Sequence, residues 1–292
     1  MRTIFLILNY KTYKDTIKLT KDILTKNIGE RIVVIVDNAS PNESFSALSK
    51  EFSNVEGVDV VSSGENGGYA KGNNFGLRYI KKYNPEYVCI INNDVYFEMD
   101  TIEHLENQYK EIKDVAFLSP LQFLINQNHP LIFSDLCHIP TLKDDIISTL
   151  GLCKLPIHQY QNNCGYHNLQ EVKIVPGAFL FVNYKLFESM DFFEERTFLF
   201  CEERFTAKKV EEAGLHSYLQ LDEKYIHAHS VTINSEASVL RQRKMLFDGK
   251  ILYTRLKRRN SFLSTQILFA AYYLGNLLIR LKSFVRFFIR KN

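Results

Sequence analysis

The sequence contains no Cys-x-x-Cys pair, and its five cysteines are an odd number. A disulfide framework is therefore not expected, and a reducing cytoplasm fits. Cys89 lies inside an apolar run and reads as a small core hydrophobe. The spacing Cys153-x4-His158-x5-Cys164-x2-His167 lacks the paired ligands of a zinc site, so a loop over the functional cleft is expected there. Gly67 and Gly72 have the spacing of a phosphate-binding loop, but Asn73 stands where its lysine belongs. Gly67-Gly68-Tyr69-Ala70-Lys71-Gly72 also fails the Gly-x-Gly-x-x-Gly pattern, so a Walker ATPase or a dinucleotide-binding protein would lack its central residues. The first apolar run, Ile4–Leu8, is too short for a signal peptide. Acids are nearly missing from residues 241–292, where Asp248 stands against 13 Lys and Arg. That segment carries +12 and the preceding 240 residues −9, although the net charge is only +3. A basic end on an acidic body suggests an anionic partner, and the apolar residues between its cations favour a membrane surface over nucleic acid.

What remains is ample for a core: 292 residues, 46% hydrophobic and 24% charged. Strand-like runs alternate with helical patterns through the first 120 residues. Ile4–Leu8 precedes a helical stretch near Thr12–Lys26, and Arg31–Val36 precedes a short helix near Glu43–Phe52. Val58–Ser62 leads through a glycine-rich loop into a helix near Tyr69–Tyr83, and Tyr87–Ile91 follows. The alternation predicts an α/β fold, a Rossmann-like, mostly parallel sheet with helices on both faces. The strands end in polar residues, Asn9, Asp37, Asn66 just beyond Ser62, and Asp94. In a parallel sheet these ends share one side and can converge on one ligand.

Asn92-Asn93-Asp94 closes a run with the length and β-branching of a buried strand. An acid released there can hold a hard cation such as Mg²⁺ or Mn²⁺ together with phosphate oxygens; the same triplet is also good turn chemistry. Residues 125–171 read as irregular. Val175–Val182 reads as a turn feeding a strand. Phe198-Leu199-Phe200-Cys201-Glu202-Glu203 leads into a helix ending near Gly214, and the helix dipole alone would accommodate the two glutamates in its first turn.

Taken in order, these elements resemble glycosyltransferase family 2, of the inverting, rhamnosyltransferase-like type. The matching pieces are Val36-Asp37-Asn38-Ala39-Ser40, the segment from Glu65 to Gly76, Ile91-Asn92-Asn93-Asp94, Pro176-Gly177-Ala178, Phe198 to Glu203, and Ile226-His227. The resemblance covers about residues 3–235. It implies a GT-A fold, a UDP- or dTDP-sugar donor and a divalent metal, Mg²⁺ or Mn²⁺. It implies that Asp37, with Asn9, contacts the nucleoside, and that Asn66, Gly68 and Lys71 pass close to the nucleotide. Asp94 corresponds to the last acid of a metal-binding triplet, with Asn92 at its first position and Asn93 between them. Glu203 corresponds to the catalytic base, and Glu202 can share that role. His227 corresponds to a histidine that meets the metal or diphosphate, and His229 competes for the assignment. The departures are Glu in place of Asp at 203, Phe205 in place of a second acid, and Asp191-Phe192 where two glycines are usual.

The expected organisation is a transferase domain over residues 1–240 and a basic helical tail over 241–292. Ser261–Ile279 is barely long enough to span a bilayer. Residues 280–290 mix bulky apolar side chains such as Phe284, Phe287, Phe288 and Ile289 with cations, as an interfacial helix does. A peripheral anchor at the inner face of the membrane is expected, the alternative being packing on the domain or on a second subunit. The expected function is transfer of a sugar to a growing, lipid-linked surface glycan. The alternative is a non-catalytic glycan-binding or scaffold protein with a transferase-like fold.

Overall fold

The apolar runs of the first half become strands; the three inner ones are buried on both faces, which rewards continuous rather than alternating hydrophobicity, and Val58–Ser62 at the edge is only partly buried. The four are Thr3–Asn9 (β1), Ile32–Asp37 (β2), Val58–Ser62 (β3) and Tyr87–Asn92 (β4), ordered β3-β2-β1-β4 and all parallel. Helices Tyr13–Thr25 (α1), Ser44–Glu51 (α2) and Gly68–Ile80 (α3) connect them. The computed structural model describes residues 3–25, 32–98, 100–125, 130, 136–152, 168–228 and 239–289, with side chains of the last helix to Leu281. The stretch from Cys153 to His167 and His229 lie outside the described residues. Alternate residues of each strand enter opposite layers. Phe5, Ile7, Val33, Ile35, Cys89 and Ile91 pack into one core, and Ile4, Leu6, Val34, Val36, Val88 and Ile90 into the other. The register pairs Asn9 with Asp37, and Asp37 with Ser62, so the polar ends line up along one edge.

Beyond β4 the sheet is mixed. Val95–Phe97 (β5), helix Asp100–Glu111 (α4), Val115–Leu124 (β6), helix Leu142–Leu150 (α5), Leu169–Val172 (β7) and Phe179–Asn183 (β8) follow in order. Helices Tyr184–Ser189 (α6) and Glu202–Glu212 (α7) precede His216–His227 (β9), and Val239–Lys257 (α8) and Ser261–Ile289 (α9) end the chain. Strand β8 runs antiparallel to β4 and β6, β6 is parallel to β9, and β5 and β7 are antiparallel to β9. Where a helical crossover no longer separates every pair of strands, the parallel rule lapses.

Helix α5 corrects the expectation of an irregular 125–171 segment. Thr141 caps it, with Thr141 and Asp144 forming a reciprocal capping box and Gly151 closing it in the left-handed conformation. The 240/241 boundary suggested by the charge change falls inside α8, and α8 is built into the body. Asp145 of α5 is 0% exposed and meets Arg204 at 2.7 Å, Arg258 at 2.6 Å and Lys250 at 3.6 Å. Phe205, the departure from the family's second acid, packs edge-to-face on Tyr253 of α8 at 5.1 Å. One buried carboxylate thus fastens α7 and α8 to α5. Asp145→Asn leaves buried Lys250 and the partly buried Arg204 and Arg258 without their anion, so a loss of about 3–5 kcal/mol is expected in denaturant unfolding. An unchanged midpoint would refute the role.

Candidate active site

Three groups of residues meet at the carboxyl edge of the sheet. The first surrounds Asp37, which is 1% exposed. Its Oδ1 accepts from the Ser40 amide at 2.9 Å, and its Oδ2 accepts from the Ser40 hydroxyl and from Asn9 Nδ2, each at 2.7 Å. Asn9 Oδ1 accepts from the Thr16 hydroxyl at 2.8 Å, so Asn9 holds Asp37 from behind. Asn93 turns the same way: its amide nitrogen donates to the Thr12 and Thr16 hydroxyls at 2.7 and 2.8 Å. Asn38 fastens the glycine-rich loop, donating to Asn66 Oδ1 and the Gly68 carbonyl at 3.1 Å each. Asn66 Oδ1 also accepts from the Gly68 amide at 3.2 Å. Gly68 has φ +84°, and a Cβ there would lie 1.9 Å from the Phe198 carbonyl oxygen, so no other residue fits. Lys71 pairs with Glu65 on the exposed side of this loop.

The second group is formed by strand pairing across 133 residues of sequence. In the antiparallel register of β5 and β9, Val95 faces His227, and the Ala228 amide donates to the Asp94 carbonyl at 2.9 Å. This brings His227 Nε2 to 3.1 Å from Asp94 Oδ1, both side chains being nearly buried. Gln122 orients the ring from the other side. Its amide lies 3.1 Å from His227 Nδ1 while its oxygen accepts from the Tyr225 hydroxyl at 3.0 Å. Burial, and then the charge of Asp94, push the Asp15 carboxyl above its usual range. Neighbouring ligands of a cation with bonds of about 2.1 Å at right angles lie about 3.0 Å apart. The Asp94–His227 separation suits that arrangement, and the carboxylate is a donor that hard cations take. Among the described residues no three His, Cys, Asp or Glu side chains enclose a metal. The pair would fill only part of a coordination shell.

The third group is the start of α7. Phe200 and Cys201, consecutive residues with φ +72° and +69°, form a left-handed turn that aims Glu202 and Glu203 inward. Both glutamates line a cavity with Tyr69, Lys173, Gly177 and Thr206. Tyr69 anchors it from α3: its hydroxyl donates to the Gly177 carbonyl at 2.6 Å, and its amide donates to Phe198 at 2.9 Å. Burial pushes the Cys201 thiol up to about 12, which removes it as a nucleophile. Burial, then the charge of Glu203, raises Glu202 well above the carboxylate range; burial raises Glu203 as well. Glu202 is 4% exposed, and its Oε2 has no hydrogen-bond partner among the described residues.

A carboxyl whose folded pKa is raised binds its proton more tightly when folded. Its burial costs nothing below the ordinary carboxylate range. The cost then grows as pH rises from that range through the raised value. Glu202→Gln is therefore expected to unfold at a higher temperature than wild type near neutral pH, with the gap closing as pH falls below about 4. Melting curves across that range check it, and a gap independent of pH would contradict it.

The groups are tied to one another. The Asn92 amide donates to Ala178 at 2.9 Å, and a Cβ on Gly177 would lie 3.4 Å from Glu203 Oε1. Gly177–Ala178 therefore lies between the Asn92–Asp94 turn and the glutamates. Sequence reasoning missed Tyr69, Gln122 and Asn74. Asn74 mimics a backbone group by pairing with both the amide and the carbonyl of Phe193, at 3.0 and 2.9 Å. An asparagine inside a helix is unfavourable unless its side chain is used, and that was the available signal.

Residues 5–130 match the family Glycosyl transferase family 2. The match covers the parallel half of the sheet and ends just beyond β6. It is 27% identical over 199 residues to the low-salt glycan biosynthesis hexosyltransferase Agl10 of Haloferax volcanii, across 68% of this chain and 58% of that protein. It is 25% identical over 206 residues to the rhamnosyltransferase WbbL of Escherichia coli, across 68% of this chain and 74% of that one. Among solved structures, the mannosyltransferase PcManGT of Pyrobaculum calidifontis, in complex with GDP-Man and Mn²⁺, superposes with a TM-score of 0.54. Its identity is 14%, over 97% of this chain and 80% of that one. The fold is that of the GT-A transferases.

Proposed function

We propose that this protein is a metal-dependent, inverting glycosyltransferase of family 2, moving a sugar from a UDP- or dTDP-linked donor to a hydroxyl of a growing, lipid-linked surface glycan. The observation that carries the reading is the placement of two unlike centres on either side of Gly177–Ala178, the Asp94–His227 pair and the Glu202–Glu203 pair. The activities named for the two relatives and the nucleotide sugar held by the mannosyltransferase support it. Asp37, held by Asn9 and Ser40, would face the nucleoside. The Asn66–Gly68 loop, fixed by Asn38, would follow the donor, with Lys71 and Asn92 at its margins. Asp94 and His227 would hold Mg²⁺ or Mn²⁺, leaving its other positions to phosphate oxygens and water. A bound divalent cation offsets the charge that develops on the departing diphosphate. Glu203 takes the proton of the attacking hydroxyl on the acceptor side. Burial, then the charge of Glu203, raises Glu202 further than burial raises Glu203, which favours Glu203 as the base. Attack opposite the nucleotide inverts the anomeric centre.

A thermal-shift panel of UDP-, dTDP- and GDP-sugars with and without Mn²⁺, followed by assay of released nucleoside diphosphate, tests the reading. One class of donor should stabilise the protein selectively and only with metal. No stabilisation and no release with any donor would refute it.

A further inference from the structure

Helix α9 has two sharply different sides. Leu268, Ala271, Ser264 and Thr265 are buried against the body, and Tyr272 stacks on Phe247 of α8 at 4.1 Å. At Gly275 the helix comes so close to α5 that a Cβ would lie 2.5 Å from the Thr149 carbonyl oxygen. The opposite side is open and apolar: Phe262, Leu263, Tyr273, Leu274, Leu277 and Leu281 are each at least half exposed. At 3.6 residues per turn, the exposed positions from 262 to 281 fall within a single sector of about 140°. Among them only Gln266 and Arg280 are not apolar, and none is acidic.

We propose that this face of α9 is a docking surface for an anionic lipid bilayer, on which the helix lies flat. Charge selects the occupant. The sequence has no acid after Asp248 and ten Lys and Arg, of which Arg255, Arg259 and Arg280 are exposed. A second copy docked on the same face would bring two cationic tails together with no carboxylate in the stripe itself to pair them. A bilayer supplies hydrocarbon for the stripe and anionic headgroups for its flanks. Residues Ser261–Leu281 are long and apolar enough to cross a membrane. A crossing helix, however, would have to give up Phe247, α5 and the close approach at Gly275. The surface is thus the side of α9 itself, upstream of the 280–290 segment that composition singles out. A Cβ on Gly249 of α8 would lie 3.0 Å from the Phe200 carbonyl oxygen, so α8 links α9 to the glutamate turn.

Flotation of the full chain with mixed phosphatidylglycerol and phosphatidylcholine vesicles tests the proposal. Wild type should float with the mixed vesicles, less so at high salt or with phosphatidylcholine alone. Leu274→Glu with Leu277→Glu should weaken binding about tenfold or more while melting and donor-induced stabilisation stay unchanged. Should that variant lose its fold, Leu263→Glu at the other end of the stripe carries the same test. Equal flotation of variant and wild type would overturn the proposal. So would a wild-type dimer that the substitutions split without any change in flotation. Resistance of bound wild type to alkaline carbonate extraction would overturn it in favour of a spanning helix.

Discussion

Glu203→Gln is expected to lower kcat about 10²-fold or more with donor affinity little changed. Glutamine keeps the size and hydrogen-bonding of the side chain, so the cavity with Tyr69 and Gly177 should persist. What is lost is the group that accepts the hydroxyl proton. Because burial raises the Glu203 carboxyl, wild-type turnover should fall as pH drops through that raised value, where the base becomes protonated. In the variant that acid limb should disappear. Glu202→Gln should reduce kcat far less, because Glu202 is the more strongly raised of the two carboxyls and so the poorer base. Steady-state kinetics of both variants across pH decide the matter. The reverse ranking would move the base to Glu202, and two mild variants would remove both from the chemistry.

The contrast between the two glutamates also marks how far sequence reasoning reaches. Their position in the first turn of a helix was legible from composition and from Gly214, and the helix runs from Glu202 to Glu212. Their difference was not, because it depends on burial at a cavity that both of them line, built from α3, the turn before β8 and α7. The parallel half of the sheet was legible to within a residue at most strand ends, since buried strands and helix periodicity are local signals. The second half was not, because β5 and β9 find each other through long-range pairing that no window of sequence displays. The Asp145 cluster was hidden for the same reason: its members come from α5, α7, α8 and the residue after α8, and the charge run that contains Lys250 and Arg258 reads as a solvated or lipid-facing tail. In the fold those cations compensate a buried carboxylate, so a chain cut near Lys250 would lose Tyr253 and Arg258 from the support of α7. The capping box at Thr141 was a local signal present in the sequence and not read.

The pairing of β5 with β9 sets up the other large effect. Asp94→Ala is expected to abolish metal-dependent donor binding and to lower turnover about 10²-fold or more while leaving the fold intact. The fold should survive because the Asp94 backbone carbonyl, which accepts from Ala228 at 2.9 Å and ties β5 to β9, is untouched. Removing the carboxylate leaves His227, still oriented by Gln122, as a single ligand, too few to hold a hard cation against water. The measurement is the donor-induced rise in melting temperature with and without Mn²⁺, which reports binding independently of turnover. Wild type should show the rise only with metal, and the variant in neither case. Chelation of wild type should reproduce the variant's behaviour. If instead the Asp94–His227 contact were only an ion pair closing the sheet edge, the variant would melt lower and keep its donor response, and chelation would leave wild type unchanged. Normal turnover by the variant would end the metal assignment outright.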